Sequence, residues 1–195
     1  MKSKTIFIFL IALSASCSSD YSPKPKGYFY IELPKPVYQD FAGYPFFKFS
    51  ISNQALVEEL KDVPAGMKEK NGAGFNLNYP RLHARIYCSY FPINKTNFSA
   101  FSEESRRMAY IQGEKAKGIK EAAYSNPERK VYGLLYEILG NTVCPVQFII
   151  SDSTHSFFRG ALYFETSGGM DSIAPVLAYI NNDIQTMIES FQWKQ

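Results

Sequence analysis

An acid, a hydroxyl and an imidazole, the three groups used by acyl-transfer triads, occur side by side at Asp152, Ser153 and His155. A triad needs nucleophile, base and orienting acid delivered from separated segments, and neighbours on one short turn rarely reach that geometry. The spacing therefore predicts a polar hairpin turn. The other histidine, His83, sits on a predicted strand. With so few histidines and cysteines, zinc would need carboxylates from undefined places, so no metal site is expected. The glycines at 66, 72 and 74 and the pair Gly168-Gly169 follow no phosphate-cradling pattern of strand, loop and helix start. Neither a cofactor nor an enzymatic activity is expected.

The cysteines carry a clearer chemical signal. Lysines at 2 and 4 precede the apolar run Thr5–Leu13 (TIFIFLIAL), which is far short of the ~20 residues that span a bilayer as a helix and reads as a signal-peptide core. Ser14-Ala15-Ser16-Cys17 then resembles the bacterial lipobox, where the peptide is cut before the cysteine and the thiol takes a diacylglycerol. The most favoured form has leucine at the position of Ser14; here Leu13 lies one residue earlier. The expectation is a signal peptide over residues 1–16 and a lipid on Cys17. Two or three acyl chains hold a protein almost permanently, at ~0.8 kcal/mol per buried CH₂. Residues 17–26 form the tether, since Ser18–Lys26 is polar and Pro23 and Pro25 favour an extended polyproline form of ~3.1 Å per residue.

Cys88 and Cys144 both fall on predicted strands. The exported location permits a disulfide closing a ring over residues 89–143, and the alternative is two buried thiols behaving as small apolar groups. Their spacing fits neither a zinc site nor a redox pair.

Residues 27–195 have the length and composition of one domain. With 46% hydrophobic and 20% charged residues the chain can bury a core. The formal charge of +3 includes Lys2 and Lys4, and no basic stripe points to nucleic acid. Fourteen tyrosines and sixteen phenylalanines exceed what a core usually needs. Tyr28, Tyr30, Tyr38 and Tyr44 are candidates for an interaction surface, because tyrosine offers large area with a polar tip. Aromatic packing within the sheet is the competing explanation.

The elements that must position these groups follow from periodicity. Gly27–Leu33 and Phe46–Ile51 read as strands, and residues 54–74 as loop with a short helix or strand. Phe75–Tyr79 and Leu82–Tyr90 are strands split by Pro80, with Leu82, Ala84, Ile86, Cys88 and Tyr90 sharing one buried face. Asn97 is expected to cap an amphipathic helix running to about Lys117, with Phe98, Phe101, Met108, Ala109 and Ala116 on its apolar side and a Glu103–Arg107 surface pair. Its charges read as a solvated face. Val131–Leu139 and Thr142–Ser151 read as a hairpin joined by Gly140-Asn141, and Phe157–Phe164 completes a meander. Pro145 lacks an N–H and suggests an edge or bulge. Asp171–Phe191 is a helix, capped by Asp171 with Pro175 in its first turn. Strands and helices in this order describe an α+β domain with helices packed on an antiparallel sheet, similar in element order to PsbP/Mog1-like folds.

Lys24–Pro34 (KPKGYFYIELP), Glu104–Ala116 (ESRRMAYIQGEKA), Val131–Phe164 and Asp171–Lys194 together, following a lipobox, resemble the GldD family of gliding-motility-associated lipoproteins of Bacteroidetes. Members of that family often have Cys-Pro where this chain has Tyr44-Pro45, and a further cysteine near Ala73; this chain has neither. The resemblance implies a non-enzymatic accessory component of the envelope machinery for gliding and type IX secretion. Such a component faces the periplasm from a membrane and works through other envelope proteins. A second reading keeps the aromatics for sugar: a periplasmic peptidoglycan- or glycan-binding module or weak hydrolase, marked by a cleft holding two carboxylates ~5–9 Å apart.

Overall fold

The computed structural model describes residues 32–60, 62, 64–113, 116–165 and 170–194. Its backbone is built on two antiparallel sheets. The small one has the order β1-β2-β10, from β1 (Tyr38–Phe41), β2 (Phe47–Ser52) and β10 (Gln192–Trp193). The seven-stranded sheet has the order β3-β4-β5-β9-β8-β7-β6. Its strands are β3 (Leu56–Glu59), β4 (Ala73–Tyr79), β5 (Ala84–Pro92), β6 (Gly118–Asn126), β7 (Val131–Leu139), β8 (Val146–Ser151) and β9 (Ser156–Phe164). Among the described residues three helices join them: α1 (Ala65–Glu69), α2 (Phe98–Gly113) and α3 (Met170–Ser190). The expected α+β class and the antiparallel meander β7-β8-β9 are present.

Alternation explains the layers. On β5, Ala84, Ile86, Cys88 and Tyr90 are buried on one face, as expected. Opposite them in register stand Phe75, Leu77 and Tyr79 of β4 and Phe158, Leu162 and Phe164 of β9. These residues, the β2 aromatics and the α3 stripe Val176, Ile180, Ile184 and Met187 form one cluster. The centre is aromatic: Phe158 lies 5.2 Å from Phe47 and 5.3 Å from Phe191, ring centre to ring centre. Aromatic pairs at such distances add ≈ 0.5–1.5 kcal/mol each beyond area burial. Much of the phenylalanine excess is therefore core packing. On the other face, α2 contributes Ser105, Ala109 and Phe101, the last 5.5 Å from Phe157 of β9.

Several expectations need correction. Of Gly27–Leu33, residues 27–31 lie outside the described set and Glu32 and Leu33 are not strand; β1 starts at Tyr38. Residues 54–74 hold both a short strand and a short helix. Leu82 belongs to a turn of 3₁₀ helix, and β5 begins at Ala84 because His83 adopts φ +48°. α2 stops at Gly113, leaving Ala116 outside it, and the edge strand β6 follows, which periodicity did not announce. The β7–β8 connection spans 140–145 rather than two residues: Glu137 pairs with Val146, and Gly140 alone takes a positive φ, of 102°. Pro145 marks neither an edge nor a bulge. It precedes a central strand, and its carbonyl accepts from Ile138 N–H at 2.8 Å. α3 begins one residue before the expected cap, at Met170, so Pro175 lies in its second turn.

Candidate functional site

Asp152 organises the β8–β9 turn rather than an active site. Its Oδ1 accepts the backbone N–H groups of Thr154, His155 and Ser156 at 2.9, 2.7 and 2.9 Å. Ser153, at φ +65°, donates its N–H to Ser151 Oγ, and His155 Nδ1 meets Thr154 Oγ1 at 2.9 Å. An aspartate accepting local N–H groups is an ordinary turn device. His83 occupies the left-handed position of another turn, away from the strand expected for it. No group of metal-ligating side chains occurs among the described residues.

Cys88 and Cys144 are both buried and free. Cys88 belongs to the main cluster, and burial raises its thiol pKa well above the usual range. Cys144 precedes β8 at the other face, where burial outweighs Tyr163, Arg159 and Gln147 and pushes its thiol up to about 11. Deprotonated, nucleophilic sulfur is thus disfavoured at both positions.

Of the four tyrosines, Tyr28 and Tyr30 lie outside the described residues, as does Cys17. Tyr44 stacks on Phe75 and Phe47 at 5.0 and 5.5 Å and donates its hydroxyl to Gly74 O at 3.1 Å. It thus touches the residue beside Ala73, the second place where the family resemblance implies a cysteine. Tyr38 donates to Asp183 Oδ1 at 2.7 Å. Both rings have work inside the fold.

Asp183 was not marked by sequence reasoning. It sits on the inward stripe of α3 between Ile180 and Ile184 and is only 4% exposed. Burial raises its pKa, opposed by hydrogen bonding with Tyr38, Tyr79 and Ser52. The other carboxyl oxygen has no partner among the described residues. A charge interrupting an apolar helical stripe was the available signal. Arg159 was missed likewise, although it interrupts the apolar run of β9.

The α2 charges form a solvent-facing group: Glu103 pairs with Arg106 at 3.9 Å, not with Arg107. Among the described residues, open clefts elsewhere also hold carboxylates beside cations. One of about 320 Å³ includes Asp40, Glu189, Lys48 and Arg129. Another, of about 530 Å³, includes Glu128, Asp152, Lys130 and Trp193. Trp193 Nε1 donates to Lys130 O at 3.1 Å, and Arg129 donates to Glu189 O at 3.0 Å, so these groups also close the fold.

No curated protein matches the sequence. A family model described as gliding motility lipoprotein GldD matches residues 18–193. The chain belongs to the GldD family. The match starts one residue after Cys17 and spans the two sheets and three helices of the described residues. GldD proteins are motility lipoproteins, a family not known as enzymes, and the lipoprotein name implies membrane anchoring. No helix among the described residues is long and apolar enough to cross a membrane.

Proposed function

We propose that the chain is a lipid-anchored accessory component of the gliding machinery and of the associated type IX secretion system, acting through contacts with other envelope proteins rather than by catalysis. The observation that carries this reading is the GldD match over residues 18–193. Residues 1–16 address the chain for export, acylated Cys17 holds it in a membrane, and the tether through residue 26 lets the domain face the periplasm. Tyr28 and Tyr30, next to the tether, are the remaining candidates for the contact surface. The PsbP/Mog1 likeness rests on element order and adds no function.

The test is a clean deletion complemented with wild type or Cys17→Ala, scored for colony spreading and for secretion of a type IX cargo protein, with immunoblots confirming accumulation. Loss of both phenotypes, rescued by wild type alone, is expected. Normal spreading and secretion with an altered cell wall would overturn the proposal in favour of glycan binding, for which the Trp193 cleft would be the first place to look.

A further inference from the structure

The sheet face opposite the main core carries a cleft of about 620 Å³ that the proposed function does not use. Its floor is formed by β4, β5 and β9, where Asn76, Tyr87 and Ala161 lie side by side in register. Leu60 and Met67 close one side and Met108 of α2 another. Methionine and leucine make an apolar lining that adapts to a flexible chain.

One polar group in this lining lacks a charged partner. Arg159 is largely buried, yet its guanidinium meets only neutral acceptors, Gln147 Oε1 at 2.9 Å and the thioether of Met108. No carboxylate lies within ion-pairing distance of it among the described residues; Glu104, which acts on it from farther away, pairs with Lys70 at 3.2 Å. Burial accordingly lowers the pKa of Arg159. Asn76 is 7% exposed and places a polar side chain in the same lining. A buried cation without a counter-charge is unfavourable, and an anion there would relieve it.

The geometry points to a binding site for a single-chain carboxylate amphiphile, a fatty acid, with its carboxylate on Arg159 and Asn76 and its alkyl chain along Leu60, Met67 and Met108. A guanidinium matches a carboxylate through paired N–H donors. Strands β4, β5 and β9 are paired on both edges, so they offer an extended peptide no backbone partners. That favours an alkyl chain, which needs none. The volume falls in the range of small-ligand pockets.

The full lipidated chain in nanodiscs, exposed to a photoactivatable dodecanoic acid and to the matching dodecanol probe, tests this. Acid-specific crosslinks should map to peptides containing Met67, Met108 or Tyr163. Arg159→Gln should lower them about tenfold or more, as expected for losing a charge-assisted pair. Met67→Trp, which fills the cleft from its exposed rim, should lower them without touching Arg159; circular dichroism checks that each variant folds. Equal labelling by acid and alcohol, labelling confined to the segment next to the membrane, or an Arg159→Gln protein that labels like wild type would each overturn the site.

Discussion

Asp183 shows how one buried carboxyl sets a pH dependence. Its folded pKa is raised by burial, so the native state holds the proton more tightly than the unfolded chain does. The associated stability is fully present below the unfolded value of about 3.9 and is lost as pH rises through the higher folded value. Asp183→Asn keeps an acceptor for Tyr38 and removes the titration. Its stability relative to wild type should therefore increase as pH rises above ~4 in urea titrations, by the linkage of one proton; parallel profiles would contradict this. Gly160 supplies a steric case. A Cβ there would lie 2.1 Å from the Phe148 ring, itself fully buried. Gly160→Ala should cost about 1–3 kcal/mol in the same measurement, as overpacking does. The free thiols make a third prediction: alkylation without reductant should leave Cys88 and Cys144 unlabelled in the folded protein and label both after unfolding. Absence of label on the unfolded chain would show that they are bridged.

At the scale of elements, legibility followed burial. β5 and α3 bury one regular face and β4, β8 and β9 bury much of both, and their patterns were readable with boundaries shifted by a few residues. β6 was not readable, because an edge strand exposing Lys120, Glu121, Ala122 and Ala123 carries little hydrophobic alternation. Its evidence is nonlocal: unbroken pairing with β7 from Gly118–Leu139 to Asn126–Val131. The same limit applied to the candidate sites. Sequence could demote Asp152, Ser153 and His155 to a turn, but Arg159 and Asn76 come to line one cleft only through sheet register. Capping shows how local chemistry can be half legible. Asn97 was expected to accept first-turn N–H groups; instead its Oδ1 accepts Asn94 N–H at 2.8 Å, while Asn94 Oδ1 accepts Thr96 and Asn97 N–H at 2.9 and 3.0 Å. Asn94→Ala should therefore lower thermal stability by about 1 kcal/mol, the usual effect of losing such a cap.

For the whole molecule, the decisive contacts join distant parts of the chain. β10 pairs with β2, Lys194 N–H reaches Phe46 O at 2.9 Å, and Lys194 Nζ reaches Ala42 O and Tyr44 O at 2.9 and 2.7 Å. Phe191, fully buried, places its ring between Phe49 and Phe158 at 5.7 and 5.3 Å. The small sheet, α3 and the large sheet consequently share one core and should unfold together. Phe191→Ala should cost about 3–5 kcal/mol, the range for deleting a buried aromatic. Far-ultraviolet and aromatic near-ultraviolet circular dichroism should still report one coincident transition, since no separate core remains to hold either sheet. A variant in which the aromatic signal melts first, leaving the strand signal at its wild-type midpoint, would instead divide the domain into two independent units. The small sheet and the large one would then be separable bodies, each held by its own packing.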